Sequence, residues 1–316
     1  MDTILVTGGA GFIGSNLVGL LSSNGSNVRV LDNFSTGKRE NLAGSPENVE
    51  IIEGDIRDPE AVESAARDAT QVYHLAAISS VLLSVDEPAN TWETNVSGTW
   101  NVLEAARRNG AKRMVFASSA SVYGDCSVVP FRESLPLSGS SPYATSKLIG
   151  EQLCELYYRL YGLETVCLRF FSVYGPRQNP NSQYSAVIPN FATRLLKGET
   201  PTIYGDGEQT RDFIFVDDVV RAVSLAGNGT NAVGEVVNIG TGKQLSVNDL
   251  LKAVQGALKT YIEPEFAPLK PGDDPRTCAD TSKAQSMLAF SPRMSVETGL
   301  ARTVKWFAGQ YRAKVK

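Results

Sequence analysis

Along the first half of the chain, short apolar runs alternate with amphipathic stretches of helical length. Ile4–Thr7, Val28–Leu31, Val49–Glu53, Val72–Leu75, Arg113–Ala117 and Thr165–Arg169 read as strands. Helix-like segments lie between them, near Phe12–Ser22, Pro59–Arg67, Glu93–Arg108 and Tyr143–Tyr161. Strands alternating with helices of this length predict an α/β fold, a Rossmann-like doubly wound parallel sheet covered on both faces with right-handed crossovers. After about Gly175 the rhythm changes, and Pro176, Asn179-Pro180-Asn181, Pro189, Pro201, Gly205 and Gly207 punctuate the chain. Val236–Ile239 reads as one more strand that rejoins the sheet. Pro264–Pro275, with four prolines, reads as an ordered loop. The expected organisation is a sheet domain over 1–175, with a returning segment near 211–241. Residues 176–316 then form mainly a smaller, interleaved C-terminal α/β lobe, and the cleft between the two is the expected ligand site.

The 316 residues are 42% hydrophobic and 20% charged, enough to bury a full core. Thirty Lys and Arg against thirty-four Asp and Glu leave a net charge of −4, which is no footprint for nucleic acid or an anionic membrane. No apolar run is long enough to span a bilayer, and the N-terminus enters a strand without a basic leader. The four cysteines (Cys126, Cys154, Cys167, Cys278) lie far apart and suit reduced thiols of a cytoplasmic protein. His74 is the only histidine, so no multi-histidine metal site is expected; it reads as a structural residue at a strand end.

Chemistry enters at Thr7-Gly8-Gly9-Ala10-Gly11-Phe12-Ile13-Gly14, which follows a strand and opens a helix. Glycines there permit a tight turn and close backbone approach to a pyrophosphate, and the helix N-terminus offers free N–H groups to it. Alone the motif is weak, since a plain strand-to-helix turn looks similar. Asp32 strengthens it by ending the next strand eighteen residues beyond Gly14, where a carboxylate can accept both hydroxyls of an adenosine ribose. A 2′-phosphate would meet like charge there, which favours NAD over NADP, although Arg29, Lys38 and Arg39 lie close in sequence. Asp55 and Ile56 end the third strand and either contact the adenine or, for Asp55, cap the helix before Pro59.

Tyr143-Ala144-Thr145-Ser146-Lys147 is a YxxxK segment whose ends share one helix face. An ammonium beside a phenol lowers its pKa from about 10, and a phenolate next to a nicotinamide is the base that alcohol oxidation requires. The apolar run Val115–Ala117 ends in Ser118-Ser119-Ala120-Ser121-Val122-Tyr123-Gly124, and Ser119 is placed to bridge a substrate hydroxyl and Tyr143. Ser118 and Ser121 read as loop-capping hydroxyls.

TGGAGFIG, Asp32-Asn33, His74-Leu75-Ala76-Ala77, SSASVYG, YATSK, Gly205-Asp206-Gly207 with Arg211-Asp212-Phe213, and Asn238-Ile239-Gly240 occur in this order across nearly the whole chain. In this the chain resembles the extended short-chain dehydrogenase/reductases of the NAD-dependent epimerase/dehydratase family, and within them the UDP-glucose/UDP-N-acetylglucosamine 4-epimerases. The resemblance implies tightly bound NAD held by Gly8, Gly11, Phe12, Ile13, Gly14, Asp32, Asn33, Ser35, Thr36, Gly37, Asp55, Ile56, Leu75, Ala76, Ala77, Asn95, Tyr143, Lys147 and Phe170. It implies a UDP-sugar substrate held by Ser79, Ser119, Tyr143, Ser172, Val187, Arg211, Lys270, Asp273 and Thr277. Among these, Arg211 would meet the diphosphate, Val187 the uracil and Asp273 the uridine ribose. It further implies a homodimer packed through a four-helix bundle by Glu93–Arg108 and Tyr143–Tyr161, and reversible 4-epimerisation through a 4-keto sugar.

Two departures from the family pattern stand out: Ser172 where asparagine is usual, and Lys270 where an arginine is usual, which supplies charge without a bidentate fork. Dehydratases of this kind carry an Asp-Glu pair, and decarboxylases a Glu, where this chain has Ala120 and Ser121. Thr277 stands where a bulky tyrosine restricts the sugar pocket, so N-acetylated sugars should fit as well. A UDP-glucuronate 4-epimerase, a dehydratase, a decarboxylase, a keto-sugar reductase and a non-catalytic NAD-binding regulator are the alternatives.

Overall fold

The alternation of the first half becomes β1 (Thr3–Thr7), α1 (Phe12–Ser23), β2 (Asn27–Asp32), β3 (Val49–Glu53), α2 (Pro59–Ala66), β4 (Ala69–His74), α3 (Val81–Asp86), α4 (Pro88–Trp92), α5 (Gly98–Arg108), β5 (Arg113–Ser119), α6 (Pro142–Tyr161) and β6 (Glu164–Phe170). The second half adds β7 (Ser172–Tyr174), α7 (Val187–Lys197), β8 (Thr202–Tyr204), β9 (Thr210–Arg211), β10 (Phe213–Phe215), α8 (Val216–Asn228), β11 (Val236–Ile239), β12 (Leu245–Ser246), α9 (Val247–Leu258), β13 (Glu265–Ala267), α10 (Ser282–Leu288) and α11 (Val296–Val315). These elements come from a computed structural model that describes residues 3–180, 187–268 and 276–315.

Seven strands form one parallel sheet in the order β3-β2-β1-β4-β5-β6-β11, a Rossmann-like arrangement whose order reverses between β1 and β4. Successive side chains leave opposite faces of a strand. Val6 therefore joins α1 and α8 in one apolar cluster, while its neighbour Leu5 joins α2, α5 and α6 in another. The first cluster runs on without a break through Phe191 of α7, Leu250 of α9 and Val304 of α11. The C-terminal elements thus share the core of the sheet, and Val236–Ile239 rejoins it as the edge strand beside β6.

Two expectations need correction. The segment Glu93–Arg108 is not one regular helix: a π-helical turn over Glu93–Ser97 separates α4 from α5, and it turns Asn95 inward to bond Ile78. The proline-rich 264–275 segment is not all loop either. Its Glu265–Ala267 pairs in parallel with Thr202–Tyr204, satisfying the Glu265 and Gly205 N–H groups on Pro201 and Ala267.

Candidate active site

A cleft of about 450 Å3 opens at the carboxyl ends of the central strands. Its floor is the glycine turn: Gly8 donates to Leu31 O at 2.8 Å, and Gly11 donates to Gly8 O at 3.1 Å, which folds the chain tightly into α1. No side chain caps α1, and its first turn holds no acid, so its leading N–H groups remain available to an anion. A Cβ on Gly14 would overlap the Gly8 carbonyl, so only glycine lets the helix start this close to the turn.

Asp32 is buried at the end of β2. Its two carboxylate oxygens accept from Ala10 N at 2.9 Å and Phe34 N at 2.8 Å. A carboxylate offers about four acceptor positions, so each oxygen keeps a free lone pair, which is what a ribose diol needs. Of the nearby cations, Arg29 is paired with Glu50 at 2.7 Å, and Arg39 pairs with Glu53 while stacking on Phe34. Both are already committed, while Lys38 is exposed; the Asp32 carboxylate is what suits the site to an unphosphorylated ribose. Asp55 faces the cleft, held well below the usual carboxylate range, at about 2, by hydrogen bonds from Arg57 and then Asn33. The helix cap before Pro59 is Asp58, which accepts from Glu60 N, so Asp55 is not the cap.

The wall Leu75–Ser79 is tied to the floor by His74. Its Nε2 meets Thr99 Oγ1 at 2.9 Å, and Thr99 already donates to Asn95 O at 2.6 Å. Nε2 therefore carries the ring proton, and Nδ1 accepts from Thr7 Oγ1 at 2.7 Å. Complete burial, followed by the Lys147 charge, presses the imidazole pKa down to about 3, so His74 is neutral and structural.

The chemical end is built by α6. Ser141 caps it by accepting from Ala144 N, Pro142 starts it, and Tyr143 falls in its first turn. A Cβ on Gly150 would overlap the Phe116 ring, so this glycine lets α6 settle onto β5. Lys147 then reaches Ala117 O at 2.8 Å, lying 5.0 Å from the Phe116 ring centre and 6.0 Å from that of Tyr143. Burial lowers the lysine pKa to about 8, against the pull of Cys154 and Glu151. Burial also raises the Tyr143 pKa, with Ser119 acting the other way. The lowering anticipated from the Tyr–Lys spacing is thus absent in the protein alone: desolvation of the phenol sets the direction, and Ser119 is what opposes it.

Gly8, Gly11, Phe12, Ile13, Gly14, Asp32, Asn33, Ser35, Thr36, Asp55, Ile56, Leu75, Ala76, Ala77, Ser79, Tyr143, Lys147 and Phe170 all line this one cleft. Gly37 and Asn95 do not. Gly37 packs behind Asp32 against Ala10. Asn95 spends its amide on Ile78 N, Ile78 O and Ser146 Oγ, so it braces the wall instead of facing a ligand. Ser119 is not in the cleft lining; it caps the turn after β5 by accepting from Ser121 N and Oγ, and it bonds the Tyr143 phenol. The loop-capping role expected of Ser118 and Ser121 therefore belongs to Ser119, while Ser118 lines the cleft and spends its hydroxyl on Glu151. Sequence reasoning missed Arg57, Ile78, Leu83, Asn90 and Thr94 on the wall; only Arg57, next to Asp55-Ile56, left a signal.

Ser172, Arg211 and Thr277 gather apart from this cleft, around a residue that the motif reading passed over. Asp212 is fully buried, and its carboxylate accepts from Thr241 N at 2.7 Å, Thr241 Oγ1 at 2.5 Å, Gly242 N at 2.9 Å and Ala279 N at 3.0 Å. Its carbonyl accepts from Ser172 N, and Thr277 N donates to Thr210 O. The Arg-Asp-Phe motif therefore joins three segments remote in sequence. Val187 begins α7, packed on the main core. Lys270 and Asp273 lie outside the described residues.

A glycine turn under an uncapped helix, a ribose-ready carboxylate and a Tyr–Lys pair at the end of the same cleft define a dinucleotide-dependent enzyme of the short-chain type. The model of the NAD dependent epimerase/dehydratase family matches residues 4–240, and the chain belongs to that family. Its cofactor is NAD. The UDP-glucose 4-epimerase of Mycolicibacterium smegmatis is 41% identical, over 96% of this chain and 97% of that protein. The UDP-glucose 4-epimerase of Thermotoga maritima, solved with UDP-glucose, has a TM-score of 0.93 at 40% identity, covering 99% of this chain and 100% of that one. The Thermus thermophilus UDP-glucose 4-epimerase, solved with NAD, has a TM-score of 0.89 at 39% identity, covering 97% and 99%. A UDP-N-acetyl-alpha-D-glucosaminuronate decarboxylase of Bacillus cytotoxicus is also similar, 36% identical over 96% of this chain and 97% of that protein.

Proposed function

We propose that this chain is a reversible UDP-hexose 4-epimerase that interconverts UDP-glucose and UDP-galactose and accepts the N-acetylated pair. The observation that carries the reading is the meeting of Tyr143 and Lys147 in the NAD cleft, with Ser119 bonded to the Tyr143 phenol and Ala120 and Ser121 following. Neither Ala120 nor Ser121 can move a proton at neutral pH, which speaks against dehydration and decarboxylation.

Bound NAD supplies a hydride acceptor and donor for the sugar C4. The residues of the chain do the rest. Tyr143 takes the O4 proton and later returns it, and Ser119 orients that hydroxyl. Lys147 offsets the charge of the phenolate and orients the nicotinamide ribose. Residues 176–316, through Arg211, Val187, Lys270 and Asp273, retain the nucleotide while the 4-keto hexose turns over, so the grip is firmer on the nucleotide than on the sugar. The small Thr277 leaves room for an N-acetyl group.

The exposed Trp100 of α5 and Leu156, Leu160 and Tyr161 of α6 support a homodimer through these helices. No helix among the described residues is long and apolar enough to cross a membrane.

Purified protein is incubated with UDP-glucose and UDP-N-acetylglucosamine separately, without added NAD, and the epimers are resolved. Product from both is expected. Product from UDP-glucose alone sinks the Thr277 argument, and product from neither sinks the reading. Tyr143→Phe should abolish epimerisation and leave NAD bound; unchanged turnover removes Tyr143 from the chemistry.

A further inference from the structure

Lys147 and Glu151 stand one turn apart on α6, and both are buried, 4% and 6% exposed. The Glu151 carboxylate accepts a fork from Arg169 of β6, Nε at 2.9 Å and Nη2 at 2.7 Å, and a hydrogen bond from the Ser118 hydroxyl. Arg169 goes on to donate to the Tyr123 hydroxyl at 2.9 Å, which donates to Asn238 Oδ1 at 2.7 Å. Both Glu151 oxygens and all three Arg169 nitrogens have a partner, which holds the carboxylate in place.

Ser118 is the residue between the two catalytic contacts of β5. On one side Ala117 O holds Lys147 Nζ, and on the other Ser119 stands beside the Tyr143 phenol. A carboxylate that fixes Ser118 therefore fixes both. Around Lys147 the titratable groups are Tyr143, Glu151 and Cys154 on α6, His74 on β4, and Arg169 and Cys167 on β6. His74 is neutral, burial raises the Tyr143 pKa, and a hydrogen bond with Cys154 followed by burial raises that of Cys167. Cys154 and then Glu151 oppose the lowering of the ammonium's pKa, Glu151 being the carboxylate of the two, and Arg169, locked to Glu151, is the neighbouring cation.

We infer that Glu151 is the positioning residue of this site, holding the Ala117–Ser119 strand end through Ser118 and keeping Lys147 cationic. Only the activity arm of its test rests on the epimerase reading.

The test compares the NAD-loaded wild type with Glu151→Gln and Ser118→Ala, measuring kcat and KM for UDP-glucose across pH. A close opposite charge is worth about one to three pH units, and the lower end applies here because Glu151 is one helix turn away and Arg169 partly offsets it. Glu151→Gln should move the alkaline fall of kcat toward neutral by about one pH unit, with KM within about twofold of wild type. Glu151→Asp, which keeps the charge, should restore the wild-type alkaline fall. Ser118→Ala keeps every charge, and should lower kcat severalfold without moving the pH profile.

Competitive acetylation of the lysines, quantified at Lys147 by mass spectrometry, follows its protonation without any turnover. The same displacement is expected in Glu151→Gln. Alkaline limbs and labelling profiles that superimpose on wild type overturn the inference, as does a wild-type kcat in Ser118→Ala. A wild type that epimerises neither sugar overturns the functional reading, and the labelling then decides the role of Glu151 alone. If Glu151→Gln does not fold, Ser118→Ala and Glu151→Asp decide.

Discussion

Acidifying the protein should weaken it through His74, and the size of the effect follows from the site. The imidazole is completely buried, with Nδ1 on Thr7 and Nε2 on Thr99, and its pKa in the fold is about 3 against an ordinary 6.5. A depressed histidine contributes stability that is complete above the unfolded pKa and is lost as pH falls, because only the unfolded chain takes up the proton. Each unit below 6.5 then costs about 1.4 kcal/mol, so roughly 2 kcal/mol are gone by pH 5. For a chain of this length that is a fall in Tm of about 3 °C.

The assay is urea unfolding of wild type and His74→Gln at several pH values between neutral and 5. His74→Gln should start less stable and lack the part of the slope that the histidine supplies. Asp212, whose carboxyl is pushed up by burial, acts in the opposite sense: it binds its proton more tightly when folded and stabilises as pH falls. Subtracting the variant from the wild type removes that contribution. The chain has one histidine, so a single set of imidazole NMR signals reports its charge directly. Equal slopes in the two proteins, or an imidazole that titrates near 6.5 in the folded state, would refute the reasoning.

Gly14→Ala drives a methyl into the Gly8 carbonyl, so the turn must open; NAD affinity measured by calorimetry should fall at least about tenfold. Asp212→Ala leaves the buried Ala279 N–H without its acceptor, at about 1 to 3 kcal/mol, and takes the same acceptor from the half-buried Thr241 and the exposed Gly242 at a smaller cost. It should lower the thermal midpoint and raise KM for the sugar nucleotide, while NAD titration stays at the wild-type value. An unchanged KM would separate Asp212 from the placement of Arg211 and Thr277.

The amino-acid order alone carried the alternation of strands and helices, the glycine turn, Asp32 at its strand end and the Tyr143–Lys147 spacing. These are local properties: a strand repeats every two residues, a helix brings i and i+4 together, and a glycine turn is closed by its own neighbours. The same locality explains the misreadings. Asp55 was open to a capping role that belongs to Asp58, and Glu265–Ala267 looked like loop until β8 came alongside to take its hydrogen bonds.

Tertiary structure decided what joins residues far apart in sequence. Thr7 meets His74 only because β4 lies beside β1 in the sheet, and that contact sets the tautomer and the charge of the imidazole. Ser118 of β5, Glu151 of α6 and Arg169 of β6 form one network because two adjacent strands lie under one helix. Asp212 gathers residues 172, 241 and 279 because three chain crossings bring the Ser172 N–H to its carbonyl and the Thr241 and Ala279 N–H groups to its carboxylate. No periodicity encodes such meetings, since burial and strand order, not spacing, choose the partner of a buried polar group.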